Sequence, residues 1–332
     1  MPVTRDPVEP ADYRRVDRRE LLRTWGPAVL AGVAVTGAAA ALHGRPGRHQ
    51  PGSEGTAPLP PKWRLAGEAP SRLAVAGGNG PVENLRRALA AVGGIERFVG
   101  RGHRVAIKPS CGWDRTPEQA ANANPEVIGE LVRQCLAAGA AAVTVVDNTC
   151  HDPARSFARS GIAEAARSAG AAVAHQGNTG TSRLDLGGLT LGPWNVLQPI
   201  ADADRLINVP IVKHHSLPGA TLGMKNWFGA LVGSRPSLHQ QIARVCAELG
   251  AAFDPTLTVM DATRVLASGG PTGGSLSLVR PMDLVAVGTD PVAAEAWGAS
   301  LLGLGADRLA HIAIAEQLGL GSAAWRDLLV EA

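Results

Sequence analysis

Lysine is almost missing from this chain. Of 32 basic residues, all are arginine except Lys62, Lys108, Lys213 and Lys225. Arginine therefore supplies the ordinary surface charge. A lysine kept in that background is a candidate for what arginine cannot do: fit a compact charge into a tight pocket and lose its proton on burial. Aromatic residues are also sparse, at 4%, so a core must be built from Ala, Val, Leu and Ile, and the 45% hydrophobic content is sufficient for one. The four cysteines, Cys111, Cys135, Cys150 and Cys246, contain no C-x-x-C pair. An iron–sulfur cluster is therefore not expected, nor a cysteine zinc site. The net charge of +3 shows no basic excess of the kind that binds phosphate backbones, so no nucleic-acid partner is expected. The phosphate-binding loop, the dinucleotide fingerprint, G-x-S-x-G, H-E-x-x-H and internal repeats are all absent.

What is present begins with a targeting pattern. Asp17-Arg18-Arg19-Glu20-Leu21-Leu22-Arg23 places paired arginines before two leucines, and a weakly apolar run follows from Trp25 to Leu42. The small residues Ala38 to Ala41 suit a signal peptidase. The spacing resembles a twin-arginine export signal, which is read by a receptor. Residues 1–42 are expected to be that signal, 43–70 a flexible linker rich in Gly, Pro and His, and 71–332 the folded domain. The twin-arginine translocase is the expected partner during export, to the periplasm or extracytoplasmic face. The chain would stay membrane-anchored if the leader is not cleaved.

From Arg72 onward, short apolar runs alternate with longer alanine-rich ones. Strands are expected at 73–76, 104–107, 142–146, 171–174, 205–209, 257–260 and 284–287. Helices are expected at 82–92, 125–138, 153–169, 238–249, 291–302 and 307–318. Continuous apolar strands between helices predict an α/β fold, a mostly parallel sheet with helices on both faces. Ligands in such sheets bind beyond the carboxyl ends of the strands.

Polar residues gather at those ends. Lys108 closes one strand and precedes a long loop, Pro109 to Asn124, of a length that usually serves function. Asp147 and Asn148 close the next. Lys213-His214-His215 and Met224-Lys225-Asn226 follow the strand 205–209, and Asp261 and Asp290 end later strands. Each has a duller explanation: Asp290 before Pro291 suits a helix cap, and Asp147 or Asp261 could hold loops. Of the adjacent His214 and His215, only one can face a given site from an extended segment. Taken together, Lys213, Lys225, His214 and Asp147 are the candidate catalytic residues. Lys108, His215, Asn226, Asp261 and the glycine-rich Gly273 are candidates for ligand binding. Ammonium groups with imidazole and carboxylate suit a small anionic molecule, and His with Asp could instead hold a metal. Cys111 and Cys150 follow successive strands and could meet.

Ile107-Lys108-Pro109, Val145-Val146-Asp147-Asn148, Ile207 through His215, Gly223 through Gly229, Gly269 through Gly274 and Gly288 through Ala294 together resemble the DUF362 family. Some members carry a ferredoxin-like cysteine cluster, which this chain lacks. The resemblance marks Lys108, Lys213, Lys225 and Asn226 as motif positions and assigns none a chemical role. The expectation is an exported protein that binds a small anionic ligand or cofactor at a Lys/His/Asp rim, as an enzyme or as a solute- or metal-binding protein without catalysis.

Overall fold

The computed structural model describes residues 57–61, 63–65, 72–330 and 332. The expected leader, 1–42, lies outside the described residues, as does most of the expected linker. Trp63, inside that linker stretch, is buried: its indole N–H donates to Ala203 O at 3.0 Å and its ring stacks on Phe253. At this residue the stretch expected as linker is packed onto the domain.

The apolar runs become strands and the alanine-rich segments become helices. β1 (Leu73–Gly77) leads to α1 (Pro81–Ala91), and β2 (Arg104–Pro109) leads through the long loop to α2 (Pro125–Ala137). Asn124 caps α2, its side chain accepting from Glu126 N–H, and Pro125 fills the first turn. β3 (Ala142–Asp147) precedes α3 (Pro153–Arg159) and α4 (Ile162–Ser168), then β4 (Ala172–His175) follows. Helices are expected over 153–169, and two form. Gly161 between them takes φ 73°, a left-handed turn that ends the first.

The middle of the chain departs furthest from the pattern. It holds β5 (Thr181–Asp185), β6 (Pro193–Leu197), α5 (Gln198–Ala201), β7 (Arg205–Val209), β8 (Ile211–His215), β9 (Gly219–Thr221), α6 (Gly223–Asn226) and β10 (Leu231–Val232). Of these strands, only β7 coincides with one expected from the sequence. The chain ends with α7 (Ile242–Phe253), β11 (Leu257–Leu266), β12 (Val279–Gly288), α8 (Pro291–Leu301), α9 (Ala310–Gln317) and β13 (Leu329–Val330). α7 starts later than expected because 235–241 form a 3₁₀ segment.

The main sheet runs β13-β1-β12-β11-β7-β2-β3-β4, with β8 paired to β11 and β9 to β8; β10-β6-β5 form a small second sheet. Pairing is parallel across β7-β2-β3-β4, and antiparallel where β12 meets β1 and β11. The fold is α/β with a mixed, mostly parallel sheet. Successive strand residues point to opposite faces. In β2, Ala106 joins a core with residues of α7, α8 and α9, whereas Val105 and Ile107 join one with α1, α2 and α4. Helices thus cover both faces.

Candidate functional site

The carboxyl ends of β2, β3 and β8 border a cavity of about 430 Å³. At its base Lys108 Nζ lies 2.9 Å from Asp147 Oδ1 and donates to Pro109 O (2.7 Å) and Asn226 Oδ1 (3.0 Å). Asp147 Oδ2 accepts from Cys111 N–H at 2.8 Å, while Oδ1 has no partner besides that ammonium. Asn226 Nδ2 donates to Lys108 O (3.1 Å) and Asn208 Oδ1 (2.8 Å), and Asn208 Nδ2 donates to Gly223 O (2.9 Å). An unpaired charge at this depth would be expensive, so the pair and its two amides form a mutually dependent unit. Burial pushes the Lys108 pKa down, and the Asp147 charge works against that shift. The unit is a frame, with its groups already committed to one another.

The free groups lie on β8, β9 and α6. Alternation along β8 puts Lys213 and His215 on one face and His214 on the other. The hairpin sets Thr221 opposite Lys213. Lys213 Nζ donates to Ala121 O at 2.7 Å and lies 3.5 Å from Ser110 Oγ, with no carboxylate partner among the described residues. Burial is the main cause that lowers its pKa to about 7; an ionised Cys150 would oppose this and the Lys225 charge adds to it. Lys225 Nζ sits 3.5 Å from the centroid of the Phe228 ring and has no hydrogen bond or ion pair among the described residues. Its pKa is also pushed down by burial.

His215 Nδ1 accepts from Leu217 N–H at 3.2 Å, which assigns the proton of the neutral ring to Nε2. Burial, helped by the two lysine charges, holds its pKa at about 3, so the ring is neutral near pH 7. Thr221 Oγ1 is buried without a partner among the described residues. The cavity therefore offers two ammonium groups, an imidazole N–H and a hydroxyl, against one carboxylate that Lys108 already engages.

Several residues here carry little or no signal in the sequence. Arg235 Nη1 donates to Asn148 O (2.8 Å) and Phe228 O (3.2 Å), and Nη2 donates to Thr149 O (3.0 Å), which clamps the loop after β3. One arginine among many gives no sign of that task. Trp113 and Cys150 line the cavity, with His239 against Phe228. Trp113 falls in the loop whose length was the available clue. Beneath α6, Glu295 Oε2 accepts from Met224 N–H (2.9 Å), and its Oε1 pairs with His311 Nε2 (2.8 Å). Both lie in helices that read as plain core.

Of the expected site residues, Lys108, Asp147, Lys213, His215, Lys225 and Asn226 meet at this cavity. His214, Asp261 and Gly273 do not. His214 Nδ1 accepts from Gly270 N–H at 3.2 Å and so holds the glycine-rich loop. Asp261 is fully buried and accepts from Asn124 N–H (2.6 Å), Thr263 N–H (2.9 Å) and Thr263 O–H (2.7 Å). Gly273 takes φ 58° and packs beside Leu266, where it turns the loop. Asp290 caps α8 through Val292 N–H and Ala293 N–H. Cys111 and Cys150 are free thiols. Among the described residues no group of three or more His, Cys, Asp or Glu side chains is arranged to hold a metal ion.

Residues 105–300 match the model of a domain described as "Domain of unknown function (DUF362)". The chain is 25% identical over 252 residues to the thylakoid-associated protein sll1697 of Synechocystis sp. (strain ATCC 27184 / PCC 6803 / Kazusa), covering 73% of this chain and 76% of that one. Among solved structures it is similar to the lactate racemase apoprotein from Thermoanaerobacterium thermosaccharolyticum, at 13% identity and a TM-score of 0.40. That likeness covers 76% of this chain and 62% of the other, so the chain spans about three-fifths of its length.

Proposed function

The chain belongs to the DUF362 family, and on that premise we propose that its strand-end cavity binds a small anion bearing several oxygen acceptors. The observation that carries this reading is the charge of the cavity wall. Among the described residues, Lys213 and Lys225 are buried there without a carboxylate partner, and the Thr221 hydroxyl without a hydrogen-bond partner, on the wall that also carries the His215 N–H. Buried ammonium groups are costly alone, and a carboxylate or phosphate oxygen offsets that cost with charge-assisted hydrogen bonds. A chemical step is also within reach of this wall. Lys213, with a pKa near 7, can take or release a proton at neutral pH.

Calorimetric titration of the full chain with phosphate, sulfate, acetate and citrate tests the reading. At least one of these anions is expected to bind, and Lys213→Met and Lys225→Met are each expected to weaken it by about tenfold or more. Binding of none, or equal affinity in both variants, would defeat the proposal.

Export belongs to the same reading. The paired Arg18 and Arg19 before an apolar run support passage through the twin-arginine route. Replacing both with lysine is expected to hold the chain in the cytoplasmic fraction. Unchanged fractionation would remove this part and leave the cavity reading intact.

A further inference from the structure

Cys150 lines the anion cavity with an exposed side chain, whereas Cys111, Cys135 and Cys246 are buried. Its place is set by the backbone around it. Asn148 N–H donates to Gly229 O (2.7 Å), Cys150 N–H donates to Gly112 O (2.9 Å), and Arg235 holds the carbonyls of Asn148 and Thr149. A second observation points to a ligand at the same place. Thr221 is only 7% exposed, its hydroxyl has no partner among the described residues, and it lines the same cavity as Lys225. A charge on the Cys150 sulfur would act on both Lys213 and Lys225.

We propose that Cys150 is a modification site selective for anionic electrophiles, and that the adduct occupies the anion subsite formed by Lys213 and Lys225. The inference rests on the anion-binding reading above. A wall of uncompensated ammonium groups raises the local concentration of anions, and an anionic reagent is thereby delivered to the one thiol within reach. Iodoacetate makes the chemistry concrete. The sulfur electron pair forms a bond to the reagent methylene carbon, the carbon–iodine bond breaks, iodide leaves, and the thiol proton passes to buffer. The product carries a carboxylate beside the lysines, where it competes with any diffusible anion. Iodoacetamide performs the same substitution without the charge, so the two reagents separate steering from plain accessibility.

The experiment compares alkylation rates of Cys150 by iodoacetate and by iodoacetamide. Peptide mapping follows both reactions in the native full chain and in the same chain unfolded in urea. The ratio of iodoacetate to iodoacetamide rates is expected to rise by about tenfold on folding. Sulfate should slow the iodoacetate reaction, and the carboxymethylated chain should no longer bind sulfate by calorimetry. An unchanged ratio in a chain that still binds sulfate overturns the thiol inference alone. A raised ratio that sulfate does not reduce overturns the shared subsite. An unchanged ratio with none of phosphate, sulfate, acetate and citrate bound removes the anion-binding reading together with this one.

Discussion

Gly229 lies so close to Asp147 that a β-carbon at this position would collide with the carboxylate oxygen Oδ1 and crowd Lys108 Nζ. The backbone of the Lys225 segment is thereby laid directly against the buried ion pair, and only glycine permits the approach. Gly229→Ala is expected to destabilise the fold by about 1–3 kcal/mol, as overpacking in a dense interior does. The midpoint of urea unfolding measures this. An unchanged midpoint would mean that the pair can move aside freely.

Lys213 predicts a pH dependence with a definite sign. Its folded pKa of about 7 lies below its ordinary value of 10.5. Between these values the unfolded chain holds a proton that the folded chain lacks, so this residue makes stability rise with pH across that window. Below about pH 7 the buried charge is present in full and its penalty is complete. Anion binding has the opposite trend, because it needs the ammonium: affinity should fall as pH rises past about 7, with proton uptake on binding. Titrations between about pH 6 and pH 9, in buffers of different ionisation enthalpy, read both effects. A flat affinity across this range would exclude Lys213 from the anion site.

Asp261 should behave as structure alone. Replacement by alanine leaves the Asn124 and Thr263 N–H groups without their acceptor, at a cost of about 2–4 kcal/mol in all. Sulfate affinity of the folded variant should stay within about twofold of the parent. A loss of affinity as large as that of Lys213→Met would place Asp261 in the binding machinery after all.

Glu295 predicts a coupling between a helix and the cavity floor. Glu295→Gln replaces one carboxylate oxygen by an amide nitrogen, so the Met224 N–H loses its acceptor or His311 Nε2 must change from donor to acceptor. The expected result is a stability loss of about 1–3 kcal/mol with weaker anion binding, since α6 carries Lys225 and Asn226. Glu295→Gln together with His311→Leu should recover part of the stability, because it removes the ring that must otherwise change tautomer. Additive losses in the pair would argue that the two residues act independently.

Much of the site could be read before the structure was known, for physical reasons that differ by residue. Lys108, Lys213 and Lys225 were legible because lysine is rare here, and because Lys108 closes an apolar strand and the other two follow one. The period-two alternation of a strand left room for one histidine, and His215 takes it. Which of the two faced the site depended on the register of β8 against β9, and that is a tertiary property. Arg235, Glu295 and His311 were illegible. The first is one charge among many, and the other two sit in apolar helices where only the packed partner gives them meaning. The small sheet of β5, β6 and β10 was missed because its strands are short and partly exposed, so no apolar run marks them. β11 and β12 extend beyond their apolar segments as a paired ribbon, with polar residues such as Arg264 and Arg280 along it.

The buried Trp63 has a practical consequence for where the gene can be cut. The first strand starts at Leu73, which invites a fragment beginning near residue 71. Such a fragment would lack the indole that covers Phe253 and the Trp63 O that accepts from the Thr256 hydroxyl at 2.8 Å. It would expose an aromatic face and invite aggregation during expression. The shortest sound fragment starts ahead of Pro58, whose carbonyl accepts from Asp185 N–H at 2.9 Å.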